Sequence, residues 1–495
     1  MRVRLTPFLR ATAVAAFLAS APLPAAAQAT PEEAARLQAI GELYFGKSPV
    51  GEAGVVKVEP EGDHYRASLD IAALLRRLVA LAPDEEARKL TIDWAPVSTA
   101  LAPQPDGLWR FWDHRIGKLV TAVDGQRTEV DVSGVDFTSI LDPATGASPK
   151  LEGRFARISA TSTINKPGED ISVSSENTSV DVALSGSTRP TGTPGVLDAE
   201  FRQITGSLTY GLGITGGGAK GVPDMRFTLN GGRQEAALGM RGFRNAALLD
   251  LWAHLVAHHS REDLTTGQGA LKAKIAAALP IFEDLRQKVE GKDFSFESAF
   301  AVANAEKVAI DLDLAGLTRD GRFGMAIGVA GFQAFSIFMP KWANKLMPRD
   351  IALAGHVSGY DFATPISVFL DEADFTATKP LTPEKEARIA TLMLPRGAVD
   401  VNLDGNRLVS ALYDVSLDGR LKAGPTGAKG AISVTARGIE KVAEHLAAPG
   451  ADEYARAAAG MIAVARGFAE RKGDTLVWRI DFEGEAVSVN GKPLK

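Results

Sequence analysis

Cysteine is absent from the 495 residues, which excludes disulfide bonds and thiolate metal sites. Long apolar runs are scarce too: after residue 29, no segment has the roughly 18 uncharged apolar residues that a membrane-spanning helix needs. A protein without disulfides depends on a large apolar core, and a chain of this length can bury one.

Motifs for catalysis and for nucleotide binding are also missing. No Gly-x-Ser-x-Gly elbow occurs, and no pair of carboxylates stands out among the acidic residues. The stretch GLGITGGGAKG (211–221) resembles a phosphate-binding loop, but Ala219 occupies the lysine position, Lys220 comes one residue late, and Gly221 has no hydroxyl for magnesium. We therefore predict a protein that is not an enzyme and that uses no nucleotide or other cofactor.

One zinc-like pattern is incomplete. His254, His258 and Glu262 have the spacing of ligands on one helix face, but Leu255 stands where a zinc protease has its catalytic glutamate. Histidines near the end of a helix also complement its dipole. We predict no metal at this position.

One calcium-like pattern is incomplete as well. The stretch DVNLDG (400–405) matches the opening of a calcium loop, but Ala411 occupies the twelfth position, where a bidentate glutamate should close the shell. Its apolar residues alternate with the polar ones. The pattern instead predicts a strand that runs into a hairpin turn at Asp404-Gly405.

The first 29 residues have the features of a bacterial signal peptide. Arg2, Arg4 and Arg10 precede and flank a small apolar segment, and Ala27-Gln28-Ala29 fits the rule for signal cleavage. Removal of residues 1–29 takes away three arginines and no acids, so the formal charge changes from −5 to −8. We predict a periplasmic protein whose charge disfavours nucleic acid and anionic lipid headgroups.

Period-two alternation dominates the remainder of the chain. Stretches such as VAIDLDLAG (308–316) and LVWRIDFEG (476–484) place apolar residues on one face and polar residues on the other, as half-buried antiparallel strands require. Dipeptides that favour tight hairpin turns occur at 106–107, 124–125, 230–231, 320–321, 404–405, 418–419 and 490–491. We predict an α+β fold of mostly antiparallel β-sheet, a long curved meander of hairpins covered by a few amphipathic helices.

Helical periodicity is confined to a few segments. Beyond an N-terminal helix that begins at Thr30, helices are predicted at 71–82, 243–259, 269–290, 382–393, 438–447 and 451–471. The chain then divides into a signal peptide (1–29), an N-terminal β-rich region (30–242), a helical pair (243–292) and a C-terminal β-rich region (293–495).

The helix predicted at 269–290 supplies the candidate ligand site. Its apolar stripe, bent at Pro280, is predicted to line a groove between sheet and helices. The five lining residues are Leu271, Ile275, Leu279, Phe282 and Leu285. The aromatic strand LWRFWD (108–113) could stack on sugars if exposed, but such residues are more often part of a core.

Three stretches resemble proteobacterial envelope proteins of a domain type of unknown function (DUF2125), and more loosely AsmA-like proteins. They are residues 55–78, 408–442 and 473–494, which together cover less than a fifth of the chain. The AsmA-like resemblance implies a long curved β-sheet whose apolar concave face carries lipid through the periplasm. It brings no catalytic residues.

The function predicted from these features is the non-catalytic binding or transport of lipid or another apolar ligand in the cell envelope. A long half-apolar sheet has more apolar surface than a few helices can cover. Two alternatives stay open. One is a structural or interaction protein of the envelope that binds another protein, and the other is a hydrolase or glycan-binding protein without a recognised motif.

Overall fold

A computed structural model describes residues 28–47, 54–80, 89–165, 171–216, 224–258, 260–377, 379–448 and 452–494. Residues 1–27 of the predicted signal peptide lie outside the described residues. Strand accounts for 53% of the structure and helix for 23%, and the sheet is antiparallel, so the predicted α+β fold class is confirmed.

Nine helices occur within the described ranges, most of them close to the predicted positions. They are α1 (Pro31–Phe45), α2 (Ile71–Ala80), α3 (Asn245–Ala257), α4 (Arg261–Thr266), α5 (Gln268–Ala278), α6 (Ala363–Glu372), α7 (Pro383–Leu392), α8 (Ile439–Leu446) and α9 (Glu453–Phe468), with a short 3-10 helix at Ala343–Lys345.

The strands are short at the start of the chain and reach 20 residues near its middle. They are β1 (Val56–Glu61), β2 (His64–Leu69), β3 (Thr91–Trp94), β4 (Val97–Pro103), β5 (Trp109–Arg115), β6 (Leu119–Val123), β7 (Gln126–Ser133), β8 (Asp136–Asp142), β9 (Ala147–Asn165), β10 (Ile171–Pro190), β11 (Leu197–Gly216), β12 (Met225–Gly231), β13 (Gln234–Phe243), β14 (Asp284–Ser298), β15 (Ala301–Ala315), β16 (Gly321–Ala330), β17 (Gln333–Ser336), β18 (Asp350–Tyr360), β19 (Val399–Asn402), β20 (Asn406–Val409), β21 (Asp414–Gly424), β22 (Gly427–Arg437), β23 (Glu470–Lys472), β24 (Thr475–Gly484), β25 (Ala486–Val489) and β26 (Lys492–Leu494).

The helix predicted at 269–290 is wrong beyond residue 278. α5 ends at Ala278, and β14 begins at Asp284. A proline at 280 disfavours helical geometry at the residue before it, which explains the end of the helix. Residues four apart, such as Leu285 and Val289, share a face in a helix and also in a strand, so the spacing did not distinguish the two.

The chain divides into two compact units. The first unit contains the described residues up to Arg226 together with Ala237–Glu283 and Ser367–Pro383. The second unit contains Phe227–Ala236, Asp284–Ile366 and the described residues from Glu384 onward. β13 and β14 run across the boundaries predicted after residues 242 and 292.

In the first unit, β9 joins two groups of strands along one of its edges. Residues 147–154 pair with β8, from which the sheet continues through β5, β4 and β2 to β1. Residues 157–164 pair with β7, from which it continues through β6 to β3. The other edge of β9 pairs with β10, and β10 pairs with β11.

Helices α1 and α2 each cover one of these strand groups. Leu37 of α1 packs in a buried cluster that also contains Trp109 and Phe111 of β5. α2 packs on Ile92 and Trp94 of β3 in a second cluster. The aromatic strand LWRFWD therefore contributes to a core, as the composition of its inward face predicted.

In the second unit the strands form a meander. β12 pairs with β14, and the sheet continues through β15 and β16 to β18, while β17 extends the pairing along β15. Both β19 and β20 lie between β18 and β21. β21 then pairs with β22, β22 with β24, and a final hairpin forms β25 and β26.

Asp404-Gly405 forms a β-bulge, and the predicted hairpin there is wrong. β19 and β20 pair with the same two neighbours, so residues 399–409 follow one strand path that is interrupted at 403–405. The Gly405 N–H donates to Asp418 Oδ1 at 2.9 Å. The Asn406 side chain accepts from the Ala354 N–H at 2.8 Å and donates to the Ala354 carbonyl at 2.9 Å. These bonds replace the ladder bonds lost at the bulge.

The turn dipeptides divide into two groups. Asp124-Gly125 and Asn490-Gly491 form the predicted two-residue turns, with φ between 43° and 76° at all four positions. The turn predicted at 418–419 is wrong, because both residues lie inside β21. A Cβ at Gly419 would lie 2.9 Å from Ile432 Cγ1, so glycine there allows the neighbouring strand to pack closely.

Candidate functional site

One face of the second unit's sheet carries apolar side chains along four neighbouring strands. Cross-strand pairing places them in rows, since Ile310 lies between Val289 and Ile327, and Ile327 also pairs with Leu353. We define the apolar face as Leu285 and Val289 of β14, Val308, Ile310, Leu312 and Leu314 of β15, Phe323, Met325, Ile327 and Val329 of β16, and Ile351, Leu353 and Val357 of β18.

The centre of the apolar face is open to solvent. Ile310, Phe323, Met325 and Leu353 retain 39% to 47% of their accessible surface. Large apolar side chains in the interior of a sheet are normally covered by a second layer of structure. Four of them exposed on three adjacent strands form a contiguous apolar surface, which is uncommon on a monomer.

The same face is covered farther along the sheet. Val415, Ala436 and Leu476 continue it across β21, β22 and β24, and the last two residues are buried. Helix α9 lies over this part, where the Trp478 indole N–H donates to the Ala465 carbonyl at 2.7 Å. Helices α8 and α9 therefore cover one end of the face, and the surface around Met325 stays open.

The opposite face is polar on β14 and β15, and on β16 it consists of Arg322 followed by alternating glycine and alanine. Arg322 donates to Asp313 and to Asp284, each at 2.6 Å, and the hydrogen bond with Asp313 raises the pKa of the Arg322 guanidinium. Lys288 forms a further ion pair with Glu290 at 2.9 Å. The charged and the apolar side chains of β14 and β15 therefore lie on opposite faces of the sheet.

The five predicted ligand-binding residues do not form one stripe. Leu271 is buried and Ile275 is half-buried in α5, and Leu279 and Phe282 lie in the connection between α5 and β14, all within the first unit. Leu285 lies in β14 of the second unit, where it pairs with Leu314 as part of the apolar face. The groove predicted along a helix at 269–290 is therefore wrong in its geometry, and only Leu285 belongs to the surface described above.

The other residues of the apolar face were not predicted as a site. The stretch VAIDLDLAG was predicted as a half-buried strand. The prediction identified which side of the strand is apolar, but it did not say what covers that side. Nothing in local alternation tells a side that faces a helix layer from a side that faces a ligand. The sequence feature that did indicate an uncovered surface is the excess of apolar strand faces over the helices available to cover them.

The first unit contains a separate groove of about 870 Å³. Helices α1, α3 and α5 contribute Leu43, Asn245, His254 and Lys274 to its walls, and two loops close it. Among the described residues that line the groove, the cation Lys274 and the carboxylate of Asp250 neutralise each other, since Lys274 Nζ donates to Asp250 Oδ2 at 2.6 Å. The arrangement has room for a small molecule and offers no nucleophile paired with a base.

The rings of His254 and His258 contact each other in a tilted arrangement, with centroids 4.1 Å apart and planes 49° apart. His258 Nδ1 lies 2.7 Å from the His254 carbonyl oxygen. This contact at the end of α3 engages one of the two ring nitrogens of His258. Burial lowers the pKa of His254, and the neighbouring charges of His258 and Lys274 lower it further. Within the described parts of the chain, no group of three or more His, Cys, Asp or Glu side chains could hold a metal ion.

The acidic residues of the calcium-like stretch are engaged with other groups. Lys422 Nζ donates to Asp400 Oδ1 at 2.6 Å, and Asn402 Oδ1 accepts from the Asp404 N–H at 3.0 Å. Arg420 lies 3.4 Å from Asp404. These oxygens serve the bulge and the surface ion pairs around it.

The glycine-rich stretch is described only in part. Gly211–Gly216 forms the end of β11 and pairs with β10, while residues 217–223, including Lys220, lie outside the described residues. The absence of a nucleotide site at this stretch stays a prediction.

Among the described residues, no helix combines the length and the apolar composition needed to cross a bilayer. No family model, curated protein sequence or solved structure matches the chain.

Proposed function

We propose that this chain is an exported, non-catalytic protein of the bacterial cell envelope that binds or carries lipid on the apolar face of β14, β15, β16 and β18. The observation that carries the proposal is the exposure of Ile310, Phe323, Met325 and Leu353 on adjacent strands. The N-terminal sequence features support export to the periplasm, and the resemblance to AsmA-like proteins supports lipid as the ligand.

The dimensions of the open surface fit an acyl chain. Four strands spaced about 4.8 Å apart span roughly 14 Å. One layer of a bilayer core that is about 30 Å thick measures about 15 Å. An acyl chain laid across β14 to β18 would therefore be covered along most of its length.

The energy of burial favours an apolar occupant. Each Å² of apolar surface removed from water contributes about 25 cal/mol. A contact that removes about 400 Å² would contribute roughly 10 kcal/mol, which offsets the losses of translational and conformational freedom. The face bears no charged side chain that would have to be desolvated.

Adjacent positions on β16 provide a matched test. Met325→Lys places a charge on the apolar face, and Ala326→Lys places the same charge on the opposite face beside its cross-strand partner Asp311. We expect gently purified native protein and Ala326→Lys to yield lipid on solvent extraction and a lipid-bound mass in native mass spectrometry. Met325→Lys should yield at most a tenth of that amount, since a buried lysine costs several kcal/mol.

Two results would contradict the proposal. One is a native protein that gives a clean apo mass and an empty extract, which would favour the envelope scaffold. The other is a Met325→Lys variant that retains as much lipid as Ala326→Lys, which would move the ligand away from this face.

A further inference from the structure

The turn after β17 exposes a compact apolar cluster. Phe335, Ile337 and Phe338 retain 55% to 74% of their accessible surface, more than any side chain of the apolar face. We call these three residues the aromatic tip. Exposed large side chains at such density on a turn are unfavourable in water and indicate a partner.

Hydrogen bonds hold the aromatic tip in place. The Ile337 N–H donates to the Phe300 carbonyl at 3.0 Å, and the Met339 N–H donates to the Ser336 carbonyl at 3.0 Å. The Phe338 ring packs on the Phe300 ring with centroids 5.6 Å apart. The side chains are therefore presented by a fixed turn, so little ordering entropy is lost when they bind.

The charged residues of the segment 321–349, which bears the aromatic tip, have one sign. Residues 321–349 contain no Asp or Glu, although the formal charge of the whole chain is −5. Lys341, Lys345 and Arg349 are exposed, and within the described residues none of the three forms an ion pair. The acids Asp350 and Asp452 lie beside this segment and accept hydrogen bonds from the Gly331 N–H at 3.2 Å and from Trp342 Nε1 at 2.8 Å. Electrostatic attraction falls off over about 8–10 Å, so the exposed cations of the segment act on a surface that the tip touches.

The segment that bears the cations is anchored to the helices of the second unit. Trp342 Nε1 donates to Asp452 Oδ2 at 2.8 Å, and the Trp342 carbonyl lies 2.9 Å from His445 Nε2. Trp342 and Leu346 pack against the buried residues of α8 and α9. The lysines thus extend from a fixed base beside the apolar cluster.

We propose that the aromatic tip docks on the surface of an anionic phospholipid bilayer, with Ile337 and Phe338 inserted among the acyl chains and Lys341, Lys345 and Arg349 beside the headgroup phosphates. Large apolar side chains flanked by free lysines are the composition of interfacial membrane anchors. The net negative charge of the chain predicted weak adhesion to such lipids, and the docking is confined to this one segment.

Along β15 the aromatic tip is separated from the apolar face. Phe335 pairs with Val302, and by strand alternation Asn304 and Glu306 stand between Val302 and Val308 on that side of β15. The docking therefore does not depend on the proposed function.

Flotation with vesicles tests the docking on the full chain. Vesicles of phosphatidylcholine with phosphatidylglycerol should bind the protein, and vesicles of phosphatidylcholine alone should bind it much less. We expect Ile337→Ser/Phe338→Ser to weaken binding by about tenfold or more. Lys341→Gln/Lys345→Gln should weaken binding to the anionic vesicles by about fivefold for each charge removed.

The matched control is Tyr454→Ser/Met461→Ser, which removes two exposed large side chains from α9. It should float like the native protein, and all variants should keep the native melting temperature. Equal loss of binding in this control and in Ile337→Ser/Phe338→Ser would overturn the assignment to the aromatic tip. Failure of the native protein to float with either kind of vesicle would overturn the docking altogether.

Two further readings separate the outcomes. The Ile337→Ser/Phe338→Ser variant should retain the extractable lipid of the native protein, so a chain without lipid that still floats contradicts only the proposed function. Light scattering could instead show that the native protein is a dimer, that this variant is a monomer, and that neither binds vesicles. That result would assign the aromatic tip to contact with a second copy of the chain and would overturn the proposal.

Discussion

The long strands of the two units have the same antiparallel pairing and opposite surface chemistry. In the first unit, SATST of β9 (159–163) pairs with SSENT of β10 (174–178), so small polar residues dominate both faces. In the second unit, residues 308–314 of β15 pair with 323–329 of β16, and every second residue is apolar. The antiparallel pairing is therefore shared, and the composition of the strand faces differs.

The units also differ in how they use their helices. α1 and α2 of the first unit seal the apolar residues of the short strands, and Trp109 and Phe111 are buried. α8 and α9 of the second unit cover one end of an apolar face whose centre stays open. In both units, alternating apolar and polar residues identify half-buried strands. In the second unit, the apolar side of such strands is also left without a covering helix.

The largest expected contrast is between two phenylalanines. Phe111→Ala removes a side chain that is 2% exposed, and it should destabilise the protein by about 3–5 kcal/mol through lost burial and a cavity. Phe323→Ala on the open face of delipidated protein should cost about 1–2 kcal/mol. Urea unfolding of both variants checks the contrast. An equal cost at the two positions would mean that Phe323 belongs to a packed core.

A smaller contrast concerns acid stability in the first unit. Burial lowers the pKa of His114 from its usual value of 6.5 to about 4, where its ring packs edge-on against Phe137 at 4.8 Å. The folded state thus favours the neutral ring. The resulting stability is present above pH 6.5 and is lost as the pH falls toward 4, by about 3 kcal/mol in total.

The His114→Phe variant keeps an aromatic ring beside Phe137 and removes the titrating group. Chemical denaturation at steps between pH 6.5 and 4 should show a steeper loss of stability in the native protein than in this variant. Parallel pH profiles would contradict the role of His114 and leave the carboxylate ion pairs as the source of acid sensitivity.

Much of the fold was predictable because its elements obey local rules. Alternation in VAIDLDLAG and the turn at Asn490-Gly491 depend on neighbouring residues only, and both match the structure. The bulge at Asp404-Gly405 was not predictable, since a hairpin and an interrupted strand use the same dipeptide and differ only in which strands lie alongside.

The helix stripe predicted for the candidate site was wrong in its geometry beyond residue 278. Leu285 satisfied the spacing of a helix stripe and of a strand face, and tertiary pairing with Leu314 decides between them. Exposure of Met325 depends on where α8 and α9 end, which no local pattern contains. The open centre of the apolar face in the second unit supports the prediction that a long half-apolar sheet leaves apolar surface uncovered.

The central claim is that lipid occupies the open face of β15, β16 and β18 and avoids the polar strands of the first unit. A fatty acid with a photoactivatable group at its terminal carbon tests it directly, when bound to delipidated protein, irradiated and mapped by peptide mass spectrometry. We predict cross-links at Ile310, Met325 and Leu353 that excess unlabelled fatty acid suppresses. Cross-links confined to β9–β11, or to the groove beside His254, would contradict the account.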